Sequence, residues 1–485
     1  MIMQYKTVFS AKKIEIPKIQ LSKLRPSALT MPRLKIGDLK IKIPIIQGGM
    51  GVGISLSGLA SSVANEGGVG VIAANGIGLL EADYFTNGKE ANIRALRKEI
   101  RKTRELTKGF IGVNLMVAVN DFYDLLKVTF EEKVDMVFLG AGLPLRKIPI
   151  NDIRQANVKV IPIVSSSRAA KLIFKYWEQN YETIPDALVV EGPKAGGHLG
   201  FKEGETDSPD FSLEILLKDV LKEIKKFEQT HHRPIPVIAA GGIFSGKDIY
   251  KFLKMGASGV QMGSRFVTTP ECDASERFKR AYLDCKKKDI KIIKSPVGLP
   301  GRAILNQFLK HVEAGNRHKF KCSWRCLAKC KAQQARYCIS EALDNARKGN
   351  LEKGFAFAGA NVFRIKKIIS VKELFTELKT GYLKVVQKNT ISLADEFEKG
   401  MRKLSSIKNE YLHVLEKNTR FIKTELEKVV EKGQAAFQVE CKTIIKKIDN
   451  LKHEYSLHFD KVVHLKQELS EFFDTSAIQM PASAL

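Results

Sequence analysis

The sequence is short of several features, and each shortage narrows what the chain can be. No uncharged apolar run approaches the roughly 20 residues that a membrane-spanning helix needs, so nothing reads as a membrane span. The opening stretch, MIMQYKTVFSAKKIEIPKIQ, is broken by lysines throughout. It offers no apolar signal-peptide core and no small-residue cleavage site, and the expected location is cytoplasmic. Seven cysteines in 485 residues, an odd number, argue against a secreted disulfide scaffold. Arginine-rich clusters and aromatic-interleaved basic stripes are missing too, which makes nucleic acid an unlikely partner class. Proline is absent from 391 to 473, and glycine occurs there only as Gly400 and Gly433.

What is present is a large apolar reserve, 44% of residues, enough for a sizeable core. The net charge is +27, unevenly spread. From residue 386 onward 16 Lys and Arg face 15 Asp and Glu, so the first 385 residues carry a net +26. Such a body attracts phosphates, an anionic surface or an acidic carrier protein, or is simply a lysine-rich surface.

From residue 43 short apolar runs alternate with helical patterns. The runs are 43–50, 68–74, 110–116, 135–142, 159–165, 187–193, 236–242 and 259–266. Each is rich in Val and Ile and nearly continuous, as a parallel strand reads when both its faces are covered. Eight of them with helices between predict an α/β protein built on a (β/α)8 TIM barrel. An open nucleotide-binding sheet is the rival, but Gly48-Gly49-Met50-Gly51-Val52-Gly53 matches its glycine turn only loosely. The expected division is an N-terminal extension (1–42), the barrel (43–285), a cap over its mouth (286–385) and an amphipathic helical tail (386–485). In the tail, Leu404, Tyr411, Leu415, Ile422, Leu426 and Val429 form one apolar stripe, and a second stretch runs from Ile444 to Leu469. A break near Gly433 would fold them as an antiparallel hairpin or a self-association arm, giving a homo-oligomer.

Barrel enzymes work where strands end, and the unusual residues of this chain lie there. Gly241-Gly242 and Gly263-Ser264 end the last two strands. Glycines let several backbone N–H groups converge on a phosphate without Cβ atoms in the way, and Ser264 adds a hydroxyl. Gly196-Gly197 lets the backbone press flat against a planar ring. His198 follows directly, placed beside such a ring as a proton acceptor near neutral pH. Cys322, Cys326, Cys330 and Cys338 form a further group. On a helix the first three sulfurs would share a face with the fourth two turns on, and the four thiolates could hold an iron–sulfur cluster or zinc; buried small apolar residues are the equal alternative.

The blocks IIQGGMGVGIS (45–55), GVNLM (112–116), EGPKAGGHLGF (191–201) and PVIAAGGIFSGKDIYKFLKMGASGVQMGSRF (236–266) resemble those of the nitronate monooxygenase (2-nitropropane dioxygenase) family, over roughly 43–380. Flavin-dependent enoyl-acyl-carrier-protein reductases are related to that family. The resemblance implies an FMN-binding barrel. Gly48, Gly49 and Met50 should border the isoalloxazine, Asn114 should lie below it with Ser166 nearby, and Gly196-Gly197 should pack on its edge. His198 matches the family's catalytic histidine, and Gly241, Gly242, Gly263 and Ser264 should hold the phosphate. Pro193-Lys194 departs from the pattern, since better-known members carry a further histidine there.

Three activities follow in order. The first is oxidation of alkyl nitronates with O2 to carbonyl compounds and nitrite. The second is NAD(P)H-dependent reduction of an enoyl thioester on an acyl carrier protein, or a related NAD(P)H:flavin or quinone reduction. The third is an assembly role centred on the tail.

Overall fold

The computed structural model describes Ile14, residues 30–145, 147–202, 204–322, 324–328, 330–426 and 434–472, without side chains for 418–442 and 444. It falls into two compact units, 31–382 and 1–30 with 383–485. Among the described residues no helix is long and apolar enough to cross a membrane.

The larger unit opens with an antiparallel hairpin, β1 (Leu34–Ile36) and β2 (Leu39–Ile41). Eight strands then run parallel: β3 (Ile45–Gln47), β4 (Gly70–Ala73), β5 (Ile111–Met116), β6 (Met136–Gly140), β7 (Lys159–Val164), β8 (Leu188–Glu191), β10 (Val237–Ala240) and β11 (Gly259–Met262). Their order is β3-β11-β10-β8-β7-β6-β5-β4, and β3 meets β4 again through Gln47 N–H to Val69 O (3.0 Å) and Val69 N–H to Ile45 O (3.0 Å). The sheet is therefore a closed barrel, and each of the eight apolar runs contributes one strand. Continuous Val and Ile form these strands because both faces are covered: β4 and β6 are buried at every position.

The hairpin differs from its reading as part of an extension. Leu34, Ile36, Leu39 and Ile41 pack with Ile46, Val69, Met136, Phe138, Ile161 and Ala187 inside the barrel. Val69 and Ala187 precede their strands, so the hairpin plugs the end where strands begin. An ion pair from Lys159, the first residue of β7, to Asp38 in the hairpin turn (2.6 Å) fixes it there. With that end filled, the opposite mouth is left for chemistry.

Three elements beyond the eight strands shape that mouth. The short strand β9 (Gly197–His198) pairs with β13 (Pro300–Ile304), which pairs with β12 (Ile290–Lys294). The start of a long helix, Val371–Leu426, packs on the barrel through Val371, Leu374, Phe375 and Leu378, all fully buried. Phe375 lies close against Gly68, and its ring is tilted against Phe266 with centroids 6.2 Å apart.

In the smaller unit Leu404, Ile407, Tyr411 and Leu415 are buried, as are Ile448, Leu451, Tyr455, Val462, Leu465 and Leu469. Lys403 pairs with Glu454 (2.8 Å), Lys447 with Glu410 (3.9 Å), and Gly400 lies close to Val462. As one number rises the other falls, so the two helices run antiparallel and cover each other's apolar face. The side chains of Ile422, Leu426 and Ile444, and residues Val429 and Gly433, lie outside the described residues.

Replacing Phe375 by Ala removes a fully buried ring. Such a cavity costs about 3–5 kcal/mol, so Phe375→Ala should lower the unfolding free energy by that much and move the urea midpoint down, read by circular dichroism.

Candidate active site

A single mouth gathers the strand ends into a cavity of about 310 Å³, within the roughly 300–1,000 Å³ of small-molecule sites. Its wall contains Gly48, Gly49, Met50, Asn114, Gly196, Gly197, His198, Gly241, Gly242, Gly263 and Ser264. Residues distant in sequence meet here because closure brings β3 between β4 and β11. Gly49 is pressed against Asn114 so closely that a Cβ would stand 2.3 Å from the Asn114 Cβ, and only glycine fits. Gly196 is similarly confined, since a Cβ there would stand 2.6 Å from the Ala358 backbone.

At the ends of the last two strands, where the sequence placed a phosphate, Gly241 and Gly242 both take positive φ, +96° and +85°, which an L side chain rarely adopts. A short helix, Ser264–Val267, starts at the end of β11. The loop after residue 355 closes over this turn: Gly359 N–H donates to Ser264 Oγ (2.9 Å), and the Asn361 amide donates to Gly242 O. Arg265 anchors it from behind through Glu377 (3.0 Å) and Phe244 O (3.1 Å).

His198 rises from β9 opposite Gly301. Its Nε2 is 2.7 Å from Ser295 Oγ, and the Phe357 ring stands edge-on at 5.0 Å. Burial, which penalises the charged ring, pulls its pKa down to about 4. At neutral pH this imidazole is uncharged.

Sequence reasoning assigned no role to several wall residues, Asn75 at its strand end among them. Asn75 and Gln261 each bury a side-chain carbonyl oxygen that has no donor among the described residues. Glu191, ending β8, has its pKa pushed up to about 7 by burial. The available signal was one polar residue inside an apolar run, as in ALVVEG and GVQMG. Lys194, at the point of departure from the family pattern, also lines the cavity.

Two expectations need correction. Ser166 does not line the cavity; it caps the helix Ser167–Tyr181, its hydroxyl accepting from Ala169 N–H at 3.2 Å. The cysteine segment is not helical, so Cys322, Cys326, Cys330 and Cys338 do not share a helix face. It docks as an irregular strand: Leu327 bridges Val119, Ala328 N–H bonds Ala118 O (2.9 Å), and Asn120 N–H bonds Cys326 O (3.1 Å). Among the described residues no group of three or more His, Cys, Asp or Glu is placed to hold a metal ion. Cys322 is exposed, whereas burial pushes the Cys326 thiol up to about 11.

Residues 33–381 match the family model for nitronate monooxygenase. The chain belongs to the nitronate monooxygenase family. It is 30% identical over 310 residues to a probable nitronate monooxygenase of Staphylococcus aureus, a match spanning 56% of this chain and 78% of that protein. Its fold is similar to FabK from Thermotoga maritima, with a TM-score of 0.56 and 28% identity over 72% of this chain and 95% of that one. A nitroalkane oxidase from Streptomyces ansochromogenes shares the fold at a TM-score of 0.55 and 22% identity, over 72% and 98% of the two chains. This nitronate monooxygenase family member is a flavin-dependent oxidoreductase.

The cavity fits a flavin on its own terms. The unpartnered oxygens of Asn75 and Gln261 need donors, which a flavin offers in its ring N3–H and ribityl hydroxyls. The glycine-lined wall suits a flat ring, and the Gly241–Gly242 and Gly263–Ser264 turns line the same cavity as a glycine cradle suited to a phosphate. With one such cradle, heat-released cofactor should have the mass of FMN. A mass matching FAD would overturn this.

Proposed function

We propose that this flavoprotein oxidises alkyl nitronates with O2 to carbonyl compounds and nitrite, using FMN. The observation that carries the reading is an uncharged histidine on the wall of a cavity whose other parts suit a flavin. When bound, FMN supplies the electron acceptor and the reactivity toward O2. Gly241, Gly242, Gly263 and Ser264 would hold the phosphate, and Gly48, Gly49 and Met50 with Gly196 and Gly197 would border the ring. Asn75, Asn114 and Gln261 would meet its polar atoms.

His198 would take the α-proton when the neutral nitroalkane is offered, since an uncharged imidazole has a free lone pair. The carbon keeps the bonding electrons, and the substrate becomes the nitronate. A second reading is an NAD(P)H-dependent enoyl-acyl-carrier-protein reductase, or a related NAD(P)H:flavin or quinone reductase. The +26 of the first 385 residues favours it, because such a surface suits an acidic carrier.

Anaerobic mixing separates the two. A nitronate should bleach the flavin absorbance, while NADH and NADPH leave it yellow. Bleaching by a reduced nicotinamide and not by the nitronate would establish the reductase instead.

His198→Asn should slow oxidation of a neutral nitroalkane by about 10²–10⁴-fold, the range for a general base, and spare the preformed nitronate. The base works uncharged and its pKa lies near 4, so kcat/KM for the nitroalkane should hold as pH falls from 7 to 5. It should drop only as pH passes through about 4, and an acid limb near 6.5 would contradict the buried, uncharged ring.

A further inference from the structure

The His198 ring has two nitrogens and one cavity to serve. Its Nε2 lies 2.7 Å from the Ser295 hydroxyl. Ser295 is 7% exposed and is not part of the cavity wall, whereas His198 is. Nε2 is therefore engaged by a hydroxyl outside the cavity wall, and Nδ1 is the ring nitrogen with no hydrogen bond among the described residues. The edge-on Phe357 ring packs against the imidazole at 5.0 Å.

Ser295 is itself fixed. It opens the turn between β12 and β13, where its N–H donates to Leu299 O (3.2 Å) and its carbonyl accepts from Gly298 N–H (3.0 Å). Its hydroxyl oxygen also accepts from Val297 N–H (3.4 Å). The strand leaving this turn pairs with β9, Gly301 opposite His198. One three-stranded sheet therefore carries both the hydroxyl and the imidazole, although they are 97 residues apart in sequence.

An uncharged imidazole carries a single ring proton, and the hydrogen bond made by one nitrogen decides the state of the other. We propose that Ser295 is the positioning residue of His198: its oxygen accepts the Nε2–H, which leaves Nδ1 with a free lone pair toward the substrate. The inference rests on the reading of His198 as proton acceptor. During transfer the substrate's α-proton moves to Nδ1, the carbon retains the electron pair, and the resulting imidazolium still donates its Nε2–H to Ser295. Because the hydroxyl is uncharged, it selects the tautomer without adding the proton affinity a carboxylate partner would bring.

The test uses full-length holoenzyme with 15N-labelled histidine. The His198 resonances are those lost in His198→Asn, and their shifts report which nitrogen carries the proton. The expected state is Nε2–H. An Nδ1–H ring in the unaltered enzyme would overturn the proposal without any variant.

In Ser295→Ala the proton should redistribute toward Nδ1. The rate with a neutral nitroalkane should then fall about 10–100-fold more than the rate with its nitronate, short of the loss expected on removing a general base. Ser295→Thr keeps the hydroxyl and should recover the nitroalkane rate. Equal losses on both substrates in Ser295→Ala would mark a structural role only. If His198→Asn shows the selective loss and Ser295→Ala does not, the positioning role fails alone. If His198→Asn shows no selective loss, the base assignment fails first.

Discussion

Everything at the mouth depends on two peptide hydrogen bonds that join the first barrel strand to the second. Gln47 N–H to Val69 O and Val69 N–H to Ile45 O, each 3.0 Å, turn a curled sheet into a ring. Individually each is worth about 1 kcal/mol, but together they decide which residues are neighbours. On the other side Gly48 N–H reaches Met262 O (2.8 Å), so the end of β3 is clamped between β4 and β11. That clamp puts Gly49 against Asn114 and Met50 beside Gly263. An open sheet of the same strands would leave β3 and β4 at opposite edges, and the glycine floor would not exist.

How much could be read in the sequence follows from the range of each interaction. The strands were legible because burial on both faces writes itself into consecutive residues, as in Gly70–Ala73 and Met136–Gly140. The glycine pairs were legible because a missing side chain is a local fact. His198 was legible because it follows such a pair. Ser295, Phe357, Gly359 and Asn361 were not, since each acts on a residue about a hundred or more positions away, and no local spacing encodes a hairpin folding back onto β9. Two readings went wrong for the opposite reason, by trusting local pattern too far. Spacings of four suggested a helix for the cysteines, but the segment's backbone bonds go to residues 118–120 instead. Ser166 looked like a ligand of the mouth, yet a serine ahead of a helix serves its own backbone first.

The electrostatics of the mouth contrast with those of the surface. The barrel and cap sequence is strongly basic, yet the proposed base and its neighbour Glu191 are governed by desolvation rather than by that charge. Burial lowers the histidine and raises the carboxyl, so both favour their uncharged forms near neutral pH. Where desolvation dominates in this way, short hydrogen bonds help decide proton positions. The surface field and the interior chemistry are therefore separable: one acts on what approaches, the other on what is bound.

The wall formed by Leu327 has a different kind of attachment from the cofactor floor. It is held through peptide groups, by the bridge to Val119 and the bonds to Ala118 and Asn120. Peptide groups are the same whatever side chains they carry. The segment can thus exchange its outward and inward residues over evolutionary time while keeping its docking register. The glycine floor, where Gly49 and Gly196 leave no room for a Cβ, has no such latitude. The two parts of the wall are in this way free to change at different rates within one fold.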